Sequence, residues 1–128
     1  MSPAVNPASL VHGDFWPGNL LWQRGALAAV IDWEDARTGD PLSDLGNARF
    51  EFFLEHGPEA MAALTDVYRA EVSLDFSGLA YWDLCAALRP CGRIGEWGLE
   101  PEEEQQLREG HAAFVAAALN ELDGRSGR

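Results

Sequence analysis

The hydrophobic pattern changes character at Pro41, and that change confines the chain to a fold with a small extended front and a helical back. Before it, apolar residues come in short steps: Leu10 and Val11, a polar loop over 12–19, Leu20 to Trp22, a turn at 23–25, and a second run over 26–31. Two such runs around a tight glycine-containing turn predict a β-hairpin. After Pro41, Leu42, Leu45, Ala48, Phe52 and Phe53 recur at spacings of three or four, which predicts a helix ending at Gly57-Pro58. A second helix is expected from Pro58 to about Val72 on Met61, Leu64, Val67 and Tyr68. A third, capped by Ser77, carries Leu79, Tyr81, Trp82, Leu84 and Leu88 until Pro90 and Gly92. The fourth opens at Pro101, where acidic residues 102–104 complement its dipole, turns Leu107, His111, Phe114, Val115, Ala118 and Leu122 inward, and stops at Gly124. The expected class is α+β, mainly helical, with about four packed helices behind a hairpin-and-loop platform.

The 128 residues suit one unit: an extended lead-in over 1–9, loops and hairpin over 10–40, and a helical part over 41–123. With 47% apolar residues the chain can bury a core, which excludes a disordered polymer. Its 21 acidic against 9 basic residues repel a phosphate backbone, so no nucleic-acid partner is expected. All nine basic residues are arginine, so no lysine within these residues can serve a mechanism. Cys85 and Cys91 lack the spacing of a zinc or redox pair and read as free thiols of a reduced, cytoplasmic protein. No stretch approaches the ~20 apolar residues that span a bilayer, and none is preceded by a basic leader, so no membrane partner is expected either.

The loop over 12–19, His-Gly-Asp-Phe-Trp-Pro-Gly-Asn, places Asp14 and Asn19 five positions apart, the spacing of a phosphoryl-transfer catalytic loop. Asp32 follows at the end of the second apolar run, where a folded hairpin returns it beside Asn19. Transfer of a γ-phosphoryl group needs positioning and charge neutralisation more than covalent chemistry. Magnesium takes hard oxygen ligands, so the Asn19 amide and the Asp32 carboxylate suffice when phosphate and water complete its octahedron. An ordinary aspartate is far too weak a base to deprotonate an alcohol outright, so Asp14 is expected to orient the acceptor hydroxyl and take its proton late.

Taken in order, His-Gly-Asp-x-x-x-x-Asn at 12–19, Val-Ile-Asp-Trp-Glu at 30–34 and Gly-Asp-Pro-Leu-Ser-Asp-Leu at 39–45 resemble the aminoglycoside phosphotransferase family of small-molecule kinases. The resemblance implies the C-terminal lobe of a protein-kinase-like fold, with Asp14 as catalytic aspartate and Asn19 and Asp32 as metal ligands. It also implies Mg2+ and ATP as cofactors and a small-molecule hydroxyl as acceptor. Gly13 and Trp33-Glu34 replace the Arg and the Phe-Gly usual in protein kinases, which favours the small-molecule branch. The family's N-terminal nucleotide-binding lobe, with its strand-borne lysine and glycine-rich loop, is expected to be absent here.

His12 is expected to pack and hold the loop, while Asp40 and Asp44 cap the following helix; a buried Asp44 bracing the catalytic loop is the alternative. Glu34 and Asp35 read as a solvated acidic turn or as an extension of the metal site. Most of the five tryptophans are expected in the core or at a lobe interface, leaving one exposed apolar patch suited to a homodimer or a partner chain. The rival reading is therefore an inactive truncated lobe serving as a binding or dimerisation module, and a weaker third is a metal-dependent hydrolase.

Overall fold

The structure, a computed structural model, describes residues 6–126, with side chains through residue 124. Its order is β1 (Ser9–Val11), a 3-10 turn (Pro17–Asn19), β2 (Leu20–Gln23), β3 (Ala26–Val30), a 3-10 turn (Trp33–Asp35), β4 (Arg37–Gly39), α1 (Leu42–His56), α2 (Pro58–Glu71), α3 (Leu79–Leu88), a 3-10 turn (Ile94–Glu96) and α4 (Pro101–Ser126). The class is α+β and mainly helical, as expected.

The predicted hairpin is present as β2 and β3, antiparallel with Leu20 opposite Val30 and a register shift between Leu21 and Trp22. Arg24 (φ 53°) and Gly25 (φ 79°) make its turn, the left-handed pair that matches the twist of the flanking strands. The second sheet was not foreseen: β1 pairs antiparallel with β4, Leu10 opposite Thr38. Arg-Thr-Gly carries no strand signal of its own, so tertiary pairing rather than propensity makes it one. Just ahead of β1, Asn6 is buried, and its partners lie outside the apolar core. Its backbone N–H and Nδ2 donate to the Asp40 carboxylate, each at 3.2 Å, Nδ2 also donates to the Asp75 carbonyl, and its Oδ1 accepts from the Asp75 N–H. Residues 1–5 of the lead-in lie outside the described residues.

The core sits where α1, α3 and α4 meet: Phe50, Ala86, Ala87 and Phe114, covered by Phe53, Leu54, Met61 and Val115. Two expected stripes are rotated. On α3 the buried residues are Ala80, Asp83, Ala86 and Ala87, while Tyr81 and Leu88 face outward. The reason is a close crossing: a Cβ at Gly46 of α1 would lie 2.7 Å from the Trp82 carbonyl oxygen, so only small side chains fit between the two helices. On α2, Val67 is exposed and Thr65 is buried, because Thr65 belongs to a polar staple. Arg49 of α1 grips Asp83 of α3 bidentately at 2.9 and 3.0 Å and donates to Thr65 Oγ1 at 2.6 Å, tying three helices together.

Two termini also differ from expectation. Gly78, not Ser77, is the N-cap of α3, with no side-chain cap hydrogen bond. α4 continues through Gly124 to Ser126, since a single glycine lowers helix stability without forcing a stop. Trp22, Trp33 and Trp97 are exposed, so these three lie outside the core.

Candidate active site

The loop between β1 and β2 is shaped by its own sequence. Gly13 has φ +91°, and a Cβ there would strike the Asp35 backbone, so only glycine lets the 33–35 turn pack against it. Pro17 opens the 3-10 turn that delivers Asn19 into β2. A Cβ at Gly18 would strike the Trp16 ring.

His12 is buried within this framework and makes the contacts of a structural residue. The Asp14 N–H donates to His12 Nδ1 at 3.1 Å, which fixes the neutral tautomer whose Nε2–H donates to the Ile31 carbonyl at 2.7 Å. The ring also packs against Trp33, with centroids 4.6 Å apart. His12 thus couples the loop to the end of β3, one residue before Asp32.

Asn19 is likewise buried. Its Nδ2 donates to the Asp14 carbonyl at 2.8 Å and reaches the Asp14 carboxylate at 3.4 Å, while its own carbonyl accepts from the Ile31 N–H at 2.9 Å. With Nδ2 committed, Oδ1 is the end of the amide left over, and it accepts no hydrogen bond from a described residue. Asp32, next in line after Ile31, is exposed, holds the left-handed conformation (φ 61°) and makes no side-chain hydrogen bond or ion pair with a described residue. The structure therefore brings Asp14 and Asn19 into contact and sets Asp32 beside them through the backbone. Glu34 and Asp35 are both exposed on the 3-10 turn.

Among the described residues no cluster of three or more His, Cys, Asp or Glu side chains could hold a metal ion. The donors on offer are one uncommitted carboxylate and one uncommitted amide oxygen. Two hard oxygens fit a magnesium ion that draws most of its ligands from phosphate and water, and they would be a poor set for zinc.

Asp44 carries out its alternative role. Its carboxylate accepts the N–H groups of His12 at 2.7 Å and Gly13 at 3.0 Å, bracing the loop from the first turn of α1. Capping falls to Asp40, whose Oδ1 accepts the Leu42 N–H at 3.0 Å.

Two supporting residues escaped the sequence reading. Asn47 of α1 donates from Nδ2 to the Phe15 carbonyl at 2.9 Å. Arg89, at the end of α3, donates from Nη1 to the Gly13 carbonyl at 3.0 Å and to Asn47 Oδ1 at 3.1 Å, and its Nη2 stands 3.6 Å from the Asp14 carboxylate. No sequence signal marked either residue; in the fold Asn47 is buried, where its amide requires partners.

Asp14 opens onto a cavity of about 840 Å³ between α1, the end of α3 and the start of α4. Its walls include Glu51, Leu54, Arg89, Arg93 and Trp97. Burial pushes the Glu51 carboxyl above its ordinary range, repulsion from Glu55 and Asp14 adds to the effect, and Arg89 opposes it.

Comparison with known proteins agrees with this loop. A 41-residue stretch is 44% identical to hygromycin-B 4-O-kinase of Escherichia coli, covering 32% of this chain and 12% of that protein. A 54-residue stretch is 35% identical to acyl-CoA dehydrogenase family member 10 of Mus musculus, covering 41% of this chain and 5% of that protein. The chain thus spans a small fraction of the length of these relatives. No solved structure matches it. The model of the phosphotransferase enzyme family matches residues 2–88, more than half the chain. This chain belongs to that family, the aminoglycoside phosphotransferase family its motifs resemble.

Proposed function

We propose that residues 1–128 form the C-terminal lobe of a kinase-like phosphotransferase that moves the ATP γ-phosphoryl group to the hydroxyl of a small molecule. The observation that carries this reading is the contact of Asn19 with Asp14, locked through His12 and Ile31 to the residue before Asp32. Asp14 accepts the acceptor's O–H, aligns its oxygen and takes the proton as the new O–P bond forms and the bond to the leaving ADP oxygen breaks. Asn19 Oδ1 and the Asp32 carboxylate would hold magnesium, which when bound offsets phosphate charge. Asn47 and Asp44 position the loop, and Arg89 does so too while its Nη2 stands 3.6 Å from the Asp14 carboxylate. The family's phosphate-binding lysine would have to come from outside these residues, since they contain none.

Phosphorylation of alcohols by MgATP, followed by 31P NMR on the natural protein that contains these residues, should fall by about 10²–10⁴-fold in Asp14→Ala and comparably in Asp32→Ala. Unchanged turnover in either variant overturns the assignment.

The second reading, a binding or dimerisation module, is favoured by one observation: Leu10, Leu21, Trp22 and Leu27 are all exposed on the strands. Calorimetry with magnesium and ATP separates the two readings, because a module that forms stable dimers without nucleotide affinity supports the second.

A further inference from the structure

A second cavity, of about 350 Å³, lies across α1 from the catalytic loop. Asp44 and Asn47 serve that loop, whereas Arg49 and Phe53, at about 3.6 residues per turn, fall on the opposite side of the helix and line this cavity. Its floor is buried Phe114 and Ala118 of α4, and its walls are half-buried Phe53, Met61, Phe76 and Leu79. The charged groups in it differ in how far they are already satisfied. Arg49 and Asp83 hold each other bidentately, and Arg49 also donates to Thr65, so this pair asks for no charge from outside. Glu121, exposed at the mouth, has an interaction of its own. Arg69, also exposed, makes no hydrogen bond or ion pair with a described residue; its guanidinium lies over the Phe76 ring, Cζ 4.3 Å from the centroid. Stacked on a wall of the cavity, this cation is held in place while its N–H groups stay available to an acceptor.

An apolar interior with one uncompensated positive charge at its mouth selects an amphiphile with a single anionic end. We propose that this cavity binds a medium-chain monocarboxylate, its hydrocarbon chain among the phenylalanines and its carboxylate on Arg69. The two oxygens of a carboxylate match the guanidinium fork, whereas a neutral chain leaves Arg69 unused and an ammonium end is repelled by it. An apolar cavity of about 150 Å³ holds benzene, so the larger room here suits a chain of about eight to ten carbons. The site does not depend on the phosphotransferase reading, because no group of the catalytic loop lines it.

The test is calorimetric titration of the 128-residue chain with octanoate, with octan-1-ol, which keeps the chain and lacks the charge, and with acetate, which keeps the charge and lacks the chain. Octanoate should bind about three- to tenfold tighter than octan-1-ol, the worth of one charge-assisted contact near solvent, and acetate should not bind. In Arg69→Gln the affinity for octanoate should fall to that for the alcohol. Ala117→Trp, which fills the cavity from an exposed position of α4, should abolish binding of both, each variant keeping the wild-type circular dichroism spectrum. Absence of octanoate binding to the wild type, equal binding of the alcohol, or a preference that survives Arg69→Gln overturns the proposal. Octanoate binding that survives Ala117→Trp puts the ligand outside this cavity and overturns it as well.

Discussion

Asp44 shows how little a residue's position in a helix says about its work. Sitting in the first turn of α1, it has the place of a capping carboxylate, yet both its oxygens reach backward to the N–H groups of His12 and Gly13. Replacing it with alanine strands two loop donors at once, and Asp44→Ala should cost about 2 kcal/mol in urea unfolding, with Asp44→Asn losing less. The loop itself was legible from sequence because its members are close in the chain and their types are constrained by chemistry. Asp14 and Asn19 stand at the spacing of a phosphoryl-transfer loop, whereas the need for glycine at Gly13 emerges only from its close approach to Asp35. Arg89 and Asn47 were not legible: Arg89 meets Gly13 across 76 positions, and nothing near either residue marks it as a partner of the other. A guanidinium just past a helix end reads as solvated until the tertiary fold closes around it.

Among the elements, α3 is the clearest departure from pattern reasoning. Nearly every residue of Leu-Ala-Tyr-Trp-Asp-Leu-Cys-Ala-Ala-Leu is apolar, so periodicity points in no particular direction, and the burial of the alanine face is decided by how closely α1 approaches. Gly46→Ala tests that approach, since the added methyl meets backbone that cannot swing aside; it should destabilise by about 1–3 kcal/mol in chemical denaturation. The Arg49–Asp83 pair is a second constraint at the same scale. Burial pushes the Asp83 carboxyl up while the Arg49 guanidinium pulls it down, and the bidentate geometry keeps the pair together. Asp83→Ala leaves Arg49 mostly buried without its counter-charge and should cost about 3–5 kcal/mol, whereas replacing both residues with apolar ones of similar volume should cost far less. The helices were recoverable from sequence because proline, glycine and apolar spacing mark their ends. The β1–β4 ladder was not, because three-residue strands owe their existence to what lies beside them.

Over the molecule as a whole, negative charge gathers where the cavity opens beside Asp14, and stability should register it. The Glu51 carboxyl titrates higher in the folded chain than its ordinary 4.5, chiefly through burial, then through repulsion from Glu55 and Asp14. The folded state therefore holds that proton more tightly than the unfolded state, and stability declines as pH rises from about 4.5 through the raised value. Glu51→Gln removes this decline. The variant should melt higher than wild type at pH 7 and converge on it near pH 4, as followed by circular dichroism. A variant no more stable at pH 7 would show that the carboxylate is already relieved by Arg89.

Because Ser9 pairs with Gly39, the stretch from His12 to Asp32 is a closed ring hung on the helices by a handful of polar ties at Asp44, Asn47 and Arg89. Little apolar packing holds it, for most of the hairpin is exposed. Such a ring can detach as a unit and leave the bundle standing. A mildly stressed sample would then keep a normal helical spectrum while the arrangement of Asp14, Asn19 and Asp32 is lost, so amide exchange at residues 12–32, rather than ellipticity, is the proper gauge of whether a preparation is intact.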